Sequence, residues 1–247
     1  MTPTHRTLTE KLIDPILATS PATPRVTYYD DATGERVELS TVTLMNWAAK
    51  TANMMRDECA AEPGTRVRIV LPAHWQTAAV LLGCWWAGCE VLVGTGDERA
   101  EIAFVAEPLL QAESAAAALD ADELVVLSLD AFGRPAAALP PGATDYATTV
   151  RLHGDRFMPQ RIDAAAPAIN GRSISEIADE ARAAATERRI TDADRVLSTA
   201  GWDDARSILT GLLAPFAAGA SLVQVSNPDD AAMSRRFEIE KITVDLR

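Results

Sequence analysis

The side chains best suited to chemistry in this 247-residue sequence are three histidines, three cysteines and five tryptophans, and their spacing restricts what they can do. His5, His74 and His153 are far apart, and none stands in a His-x-x-x-His or mixed Cys/His spacing, so no metal site is expected. Cys59, Cys84 and Cys89 are odd in number and form no Cys-x-x-Cys pair, which points to reduced thiols rather than a disulfide framework. Ser128 lacks the Gly-x-Ser-x-Gly elbow, and the charges of Asp57 and Glu58 disfavour a Cys59 thiolate. No catalytic residue is therefore expected. Ligand-binding candidates remain. His74 follows a strand-like run ending Leu71-Pro72, and Asp130 follows another over 124–129; α/β sheets bind ligands beyond the carboxyl ends of their strands. Gly94-Thr95-Gly96-Asp97 also follows a strand and could present backbone N–H groups to phosphate, although the third glycine of a dinucleotide fingerprint is replaced by Arg99. Trp75, Trp85, Trp86 and Trp202 either line a pocket or fill the core, tryptophan being an efficient filler. The candidate ligand-binding set is His74, Trp75, Gly94, Thr95, Gly96, Asp130, Trp202 and Asp203.

Charge narrows the partners. A formal net charge of -12 repels phosphate backbones and anionic lipid, and basic residues cluster no further than the pairs Arg188-Arg189 and Arg235-Arg236. Neither nucleic acid nor a membrane surface is an expected partner. The most apolar run, 78–93, is interrupted by Gly83, Gly88 and Glu90 and falls short of the roughly 20 residues that span a bilayer. Residues 1–17 carry Glu10 and Asp14 among their apolar positions and read as no export signal, so a cytoplasmic location is expected.

Elements that would position these residues follow from periodicity. Runs over 25–30 and 36–39 flank Asp30-Asp31-Ala32-Thr33-Gly34 and read as a hairpin; Ser40 then caps a helix whose core face includes Leu44, Trp47 and Met55. A strand at 66–71, a helix at 74–87 that is apolar almost all round, and a strand at 89–93 make a βαβ unit with parallel strands. A strand at 102–105, a helix around 108–118 and a strand at 124–129 follow, then a Pro/Gly-rich loop over 132–142. The stretch 150–170 has no clear period. Ser173-Ile174-Ser175-Glu176 is a capping box opening a helix toward Arg188, and a second βαβ unit occupies 196–198, 204–218 and 221–225. Asn227-Pro228-Asp229 opens another helix before a last strand at 242–246. The expected class is α/β, a layered α-β-α arrangement with mainly parallel sheets and two βαβ-containing halves. Its divisions are an N-terminal subdomain 1–150, an irregular connection 151–172 and a second subdomain 173–247 packed against the first, the whole being readable as one continuous domain. The two βαβ units also match each other, Ala87-Gly88-Cys89 against Ala218-Gly219-Ala220, which either duplication or generic helix-end grammar explains.

These segments carry a resemblance. Pro63-Gly64-Thr65-Arg66-Val67, Leu71-Pro72 and Trp86-Ala87-Gly88-Cys89-Glu90-Val91-Leu92-Val93 resemble the "pGdrVail-P" and "kaGavvvp" elements of the acyl-CoA synthetase, AMP-binding superfamily. Asp194-Arg195-Val196-Leu197-Ser198, Ala218-Gly219-Ala220-Ser221-Leu222-Val223 and Glu240-Lys241-Ile242-Thr243 resemble its later "Drvls", "aGaxvvl" and "ekvT" elements. The resemblance covers most of the chain, implies the N-terminal subdomains of an adenylate-forming enzyme, and looks like a short actinobacterial-type branch lacking the catalytic motifs.

The family's Ser/Thr/Gly-rich loop ending Pro-Lys-Gly would fall between Val150 and Ser173, where this chain has no lysine. Its aromatic-histidine element would fall at 201–205, where Gly201-Trp202-Asp203-Asp204-Ala205 stands. The family's Tyr-Gly-x-Thr-Glu segment, ribose-binding aspartate and mobile lysine domain would all lie beyond Arg247. Adenylation needs positioned donors, a lysine and magnesium around the α-phosphate. The expected function is thus a truncated, degenerate acyl-CoA-synthetase-like protein, non-catalytic, binding a small acyl or nucleotide-like ligand or a protein partner. The alternative is a carboxylate-activating enzyme completed by a separate catalytic partner. ATP, AMP or CoA binding is implied by the resemblance alone. A homodimer is expected, because the apolar helix at 78–87 needs cover on nearly all sides.

Overall fold

A period of two along the strands sorts apolar side chains onto the faces of two sheets that share one layer of helices. The structure, a computed structural model, describes residues 5–96 and 98–247, so Asp97 of the Gly-x-Gly turn lies outside the described residues. The elements in chain order are α1 (Leu8–Thr19), β1 (Pro24–Asp30), β2 (Glu35–Ser40), α2 (Thr41–Glu58), β3 (Arg66–Val70), α3 (Trp75–Ala87), β4 (Glu90–Leu92), β5 (Ile102–Ala106), β6 (Glu123–Leu127), β7 (Thr144–Asp145), α4 (Tyr146–Thr149), β8 (Pro167–Ile169), β9 (Arg172–Ser173), α5 (Ile174–Glu187), β10 (Arg195–Ser198), α6 (Ala205–Ile208), α7 (Ala214–Ala218), β11 (Ser221–Ser226), α8 (Asp230–Glu240) and β12 (Val244–Asp245).

One sheet has the order β12-β10-β11-β1-β2 and the other β7-β6-β5-β3-β4-β8-β9. Every pairing is parallel except the hairpins β1/β2 and β8/β9. Strands β1 and β2, from the start of the chain, thus join the sheet built mainly from its end, and β8 pairs with β4. The expected α/β class with mainly parallel sheets is what the chain forms.

On β3, Val67 and Ile69 face the central helices, as do Ile102 and Phe104 on β5 and Val125 and Leu127 on β6. Ala103, Val105 and Val126 face the opposite way and pack under the segment 109–121. In the other sheet Val196 and Leu222 face the helices, whereas Leu197, Val223 and Val225 pack with Met233 beneath α8. Both sheets are therefore covered on both faces, which is why their strands need apolar residues at consecutive positions.

Helix α3 is central. All its residues but Trp86 are buried, by α2, α1 and the flanking strands β1 and β4. At Gly83 the α2/α3 crossing is so close that a Cβ would stand 2.8 Å from Thr51 Cβ and 2.9 Å from the Ala48 carbonyl oxygen. Capping follows the sequence. Ser40 accepts from Thr43 N, and Ser173 and Glu176 form the reciprocal capping box of α5. Gly88 and Gly219 end their βαβ helices at φ +82° and +79°, a left-handed region that costs an L-residue energy.

Three expectations are corrected. The helix expected around 108–118 is two short 3-10 turns, Glu107–Leu109 and Glu113–Ala115, because its alanines and Pro108 lack a continuous apolar stripe. The helix over 204–218 carries a π-helical turn at Leu209–Leu213, where Gly211 lies against Trp202 and Ser198. Trp47, expected in the core, is half-buried, whereas Met55 is fully buried.

Candidate functional site

The carboxyl ends of β1, β3, β6 and β11 converge on a cleft of about 560 Å³, whose lining includes Tyr28, Glu35, His74, Asp130, Arg134 and Ser226. His74 lies there because the chain leaves β3 through Pro72 and turns into α3, with His74 as N-cap. Its Nδ1 accepts a hydrogen bond from Gln76 N at 3.1 Å. An accepting Nδ1 leaves the neutral imidazole proton on Nε2. That Nε2 is buried without a hydrogen-bond partner, 3.7 Å from Glu35 Oε1. Glu35 Oε1 in turn accepts from Trp75 Nε1 at 3.2 Å, so the carboxylate is held between the two aromatic residues.

Tyr28 packs its ring edge-on to His74, with centroids 4.4 Å apart. Burial pushes the Tyr28 hydroxyl up to about 12, against a hydrogen bond with Ser226 that opposes the shift. It therefore stays protonated at neutral pH. Asp130 sits in a turn whose Oδ1 accepts from Phe132 N and Arg134 N at 2.9 and 3.2 Å. The Arg134 guanidinium, with Nε at 3.0 Å and Nη2 at 2.8 Å from Oδ2, is the main cause that pulls the Asp130 carboxyl down to about 2. Its charge is committed to Arg134, and it is no general base at neutral pH. Asp30, Glu35 and Asp130 against Arg134 make the cleft acidic.

A narrower slot of about 130 Å³ adjoins it, sharing Ala131 and Phe132 and lined by Trp47, Trp75, Tyr146 and Val150. Trp47 and Trp75 meet edge-to-face at 5.5 Å, and Trp75 links slot to cleft through its bond to Glu35. The arrangement offers an acidic chamber with one unspent buried donor beside an aromatic groove.

The sequence-predicted residues fall in three places. His74 and Asp130 share the cleft, and Trp75 lines the slot. Gly94, Thr95, Gly96 and Asp203 line a separate cavity of about 480 Å³ at the ends of β3 and β4. Trp202 is 1% exposed and packs in the core, lining none of these cavities. Sequence reasoning missed Tyr28, Glu35, Arg134 and Phe132. The hairpin signal placed Tyr28 on the first strand and Glu35 just before the second, but only the packing of β1 on β11 and of α3 beneath brings them to His74. Among the described residues no group of three or more His, Cys, Asp or Glu is arranged to hold a metal ion, and no helix is long and apolar enough to cross a membrane.

The stretch 150–173, where a phosphate loop would fall, opens with a short 3-10 turn and ends in a two-residue hairpin, with Asn170 at φ +46° and Gly171 at φ +76° between β8 and β9. Its backbone donors are engaged: Asn170 N donates to Val91 O at 3.0 Å and Gly171 N to the Glu90 carboxylate at 2.5 Å. The Asn170 side chain adds two bonds to the Val93 backbone, each 3.0 Å.

No family model matches the chain. It is 54% identical over 242 residues to a TIGR03089 family protein of Mycobacterium tuberculosis strain H37Rv, covering 97% of its own length and 98% of that protein. The chain belongs to the TIGR03089 family. Its fold is shared with far larger proteins. An acyl-CoA synthetase of Brucella canis superposes with a TM-score of 0.78 at 14% identity, over 97% of this chain and 46% of that one. The anthranilate CoA ligase AuaEII, solved in complex with anthranoyl-AMP, gives a TM-score of 0.70 at 12% identity, over 90% of this chain and 45% of the ligase. This TIGR03089 member therefore has the fold of the first part of an acyl-CoA-synthetase-type ligase and spans just under half the length of the two.

Proposed function

We propose that the protein is a non-catalytic binder of a small ligand, held in the cleft at His74. The observation that carries this reading is the buried Nε2–H of His74, which has no hydrogen-bond partner on the wall of an acidic cleft of about 560 Å³. A buried donor left unmade costs about 1–3 kcal/mol, and a ligand acceptor recovers it. Charge refines the ligand. With Asp30, Glu35 and Asp130 on the walls and the arginine of the lining spent on Asp130, a triphosphate is repelled, whereas an uncharged head that carries a hydrogen-bond acceptor is favoured. The aromatic slot beside it suits a small flat or apolar appendage. Absence of turnover is supported by the stretch 150–173, which has no lysine and ends in the Asn170-Gly171 hairpin, whose N–H groups are bonded within the protein and whose neighbour is the Glu90 carboxylate.

Differential scanning fluorimetry with benzamide, ATP, AMP, CoA and a fatty acid, run beside a pyrophosphate-release assay, tests both parts. Benzamide, whose carbonyl oxygen can accept from Nε2–H, is expected to raise the melting midpoint, and His74→Asn, which keeps an N-cap side chain but removes Nε2, to abolish that rise. Carboxylate-dependent pyrophosphate release by the chain alone would sink the non-catalytic reading. An unchanged benzamide response in His74→Asn would sink the site.

A further inference from the structure

Gln76 stands in the first turn of α3, a helix that is otherwise almost wholly apolar. It is 6% exposed and lines the slot of about 130 Å³ enclosed by the start of α3, by α2 and α4, and by the segment 131–133. Its backbone N–H is spent on His74 Nδ1, and among the described residues its carboxamide makes no hydrogen bond. Neither carboxamide atom is sealed in the core, so the little surface that Gln76 keeps faces the slot. Two other polar groups of the lining are engaged. The Tyr146 hydroxyl shares a hydrogen bond with Thr51 Oγ1 at 2.8 Å, and Trp75 Nε1 donates to Glu35 at 3.2 Å. The remaining walls are aromatic, with Trp47 and Trp75 at 67° between ring planes. Phe132 on the lining is exposed, which leaves the slot open to entry from solvent. A buried carboxamide with both ends unspent, on the wall of an aromatic slot, marks a site for a flat group that carries its own donor and acceptor.

We propose that the slot binds a neutral six-membered ring with a lactam edge, its N–H and C=O paired with the Gln76 carboxamide through two parallel hydrogen bonds. A primary carboxamide sets one acceptor and one donor side by side in a plane, and a lactam presents the complementary order. A carboxylate offers acceptors alone and an ammonium donors alone, so each leaves one end of the amide unpaired. Size limits the ring. An apolar cavity of about 150 Å³ takes one benzene, so a slot of about 130 Å³ takes a single ring and no fused second one. The indole faces of Trp47 and Trp75 supply the apolar contact. The assignment names what the slot takes; it rests on the reading of the slot as part of a ligand site, and not on the His74 donor.

Nuclear magnetic resonance titration of the full chain with 2-pyridone and with N-methyl-2-pyridone, which keeps the ring and carbonyl but blocks the N–H, tests the pairing. 2-Pyridone is expected to bind at least about tenfold more tightly, a difference of about 1.4 kcal/mol and of the order that paired neutral hydrogen bonds supply. Gln76→Met, similar in length and apolar, is expected to remove that preference. Ala147→Phe, which fills the slot and leaves Gln76 in place, is expected to abolish binding of both rings. Near-ultraviolet circular dichroism shows which variant has folded, and either one suffices. No binding of 2-pyridone, equal binding of the two pyridones, tighter binding of benzoate, or a preference that survives in folded Gln76→Met would overturn the assignment. A benzamide response lost in His74→Asn together with equal binding of the two pyridones would overturn the lactam site and leave the cleft reading in place. A benzamide response kept in His74→Asn, with the pyridone preference lost in Gln76→Met, would support the lactam site and overturn the cleft reading alone.

Discussion

Glu240 shows how one buried side chain ties distant parts of the chain together. It is 4% exposed and accepts hydrogen bonds from Tyr29, Arg36 and Arg195, joining α8 to β1, β2 and β10. Burial alone raises its carboxyl, but these three donors outweigh that and hold it below the usual glutamate range. A carboxyl lowered by folding adds stability that is present above the unfolded value of about 4.3 and is lost as pH falls through the folded value. Glu240→Gln is therefore expected to lower stability at pH 7 by about 1–3 kcal/mol, and to flatten the loss below about pH 5. Urea melts from pH 3 to 7 measure both, and an unchanged acid slope would contradict the linkage. Trp202 belongs to the same scale. Truncating this fully buried tryptophan to alanine is expected to cost about 3–5 kcal/mol, as a lowered urea midpoint, and a midpoint near wild type would show that it does not fill the core.

The crossing of α2 and α3 decides more of the fold than either helix does alone. Gly83 on α3 faces Ala48 and Thr51 on α2, and the missing Cβ lets the two helices approach. Gly83→Ala improves intrinsic helix propensity by about 1 kcal/mol, yet the new methyl meets Thr51 and the Ala48 carbonyl at distances no relaxed contact reaches. Overpacking of about 1–3 kcal/mol is expected to win, so the variant melts lower than wild type. A higher midpoint would mean that the helices can part without cost. The crossing bears on the candidate site too, because α3 starts at His74 and α2 carries Trp47 into the slot.

At the scale of the molecule, the order of strands binds the chain's two ends. Residues 24–40 pair in the sheet formed mostly by 195–245, and β8 pairs with β4 in the other. Both sheets press on one helical layer, within a single apolar cluster that spans them. A single cooperative thermal transition is expected, with calorimetric and van't Hoff enthalpies in agreement; two separated transitions would show that the sheets unfold independently. The same packing removes the reason for which a homodimer is expected from sequence. Helix α3 is apolar on nearly all sides because the chain itself covers it, not because a second copy must. The edges are short or charged, two residues each in β7, β9 and β12, with Glu35, Arg36 and Glu38 on β2. Light scattering at micromolar concentration reads the oligomeric state, and a dimer would have to be built on a surface other than α3.

Local signals in the sequence determined the elements with short-range causes: the β1/β2 hairpin from its turn residues, the capping box at Ser173, both βαβ units and their glycine ends. They also placed His74 and Asp130 at strand ends, since the carboxyl end of a strand is a local property. Which strand ends meet is not local. Val67-Arg68-Ile69 alternates apolar and charged residues in sequence, and only the packing of 109–121 over the far face makes the Arg68 charge a buried one. Tyr28 and Glu35 reach His74 because β1 pairs with β11 almost two hundred residues later, a contact fixed by the collective burial of both sheets on the same helices.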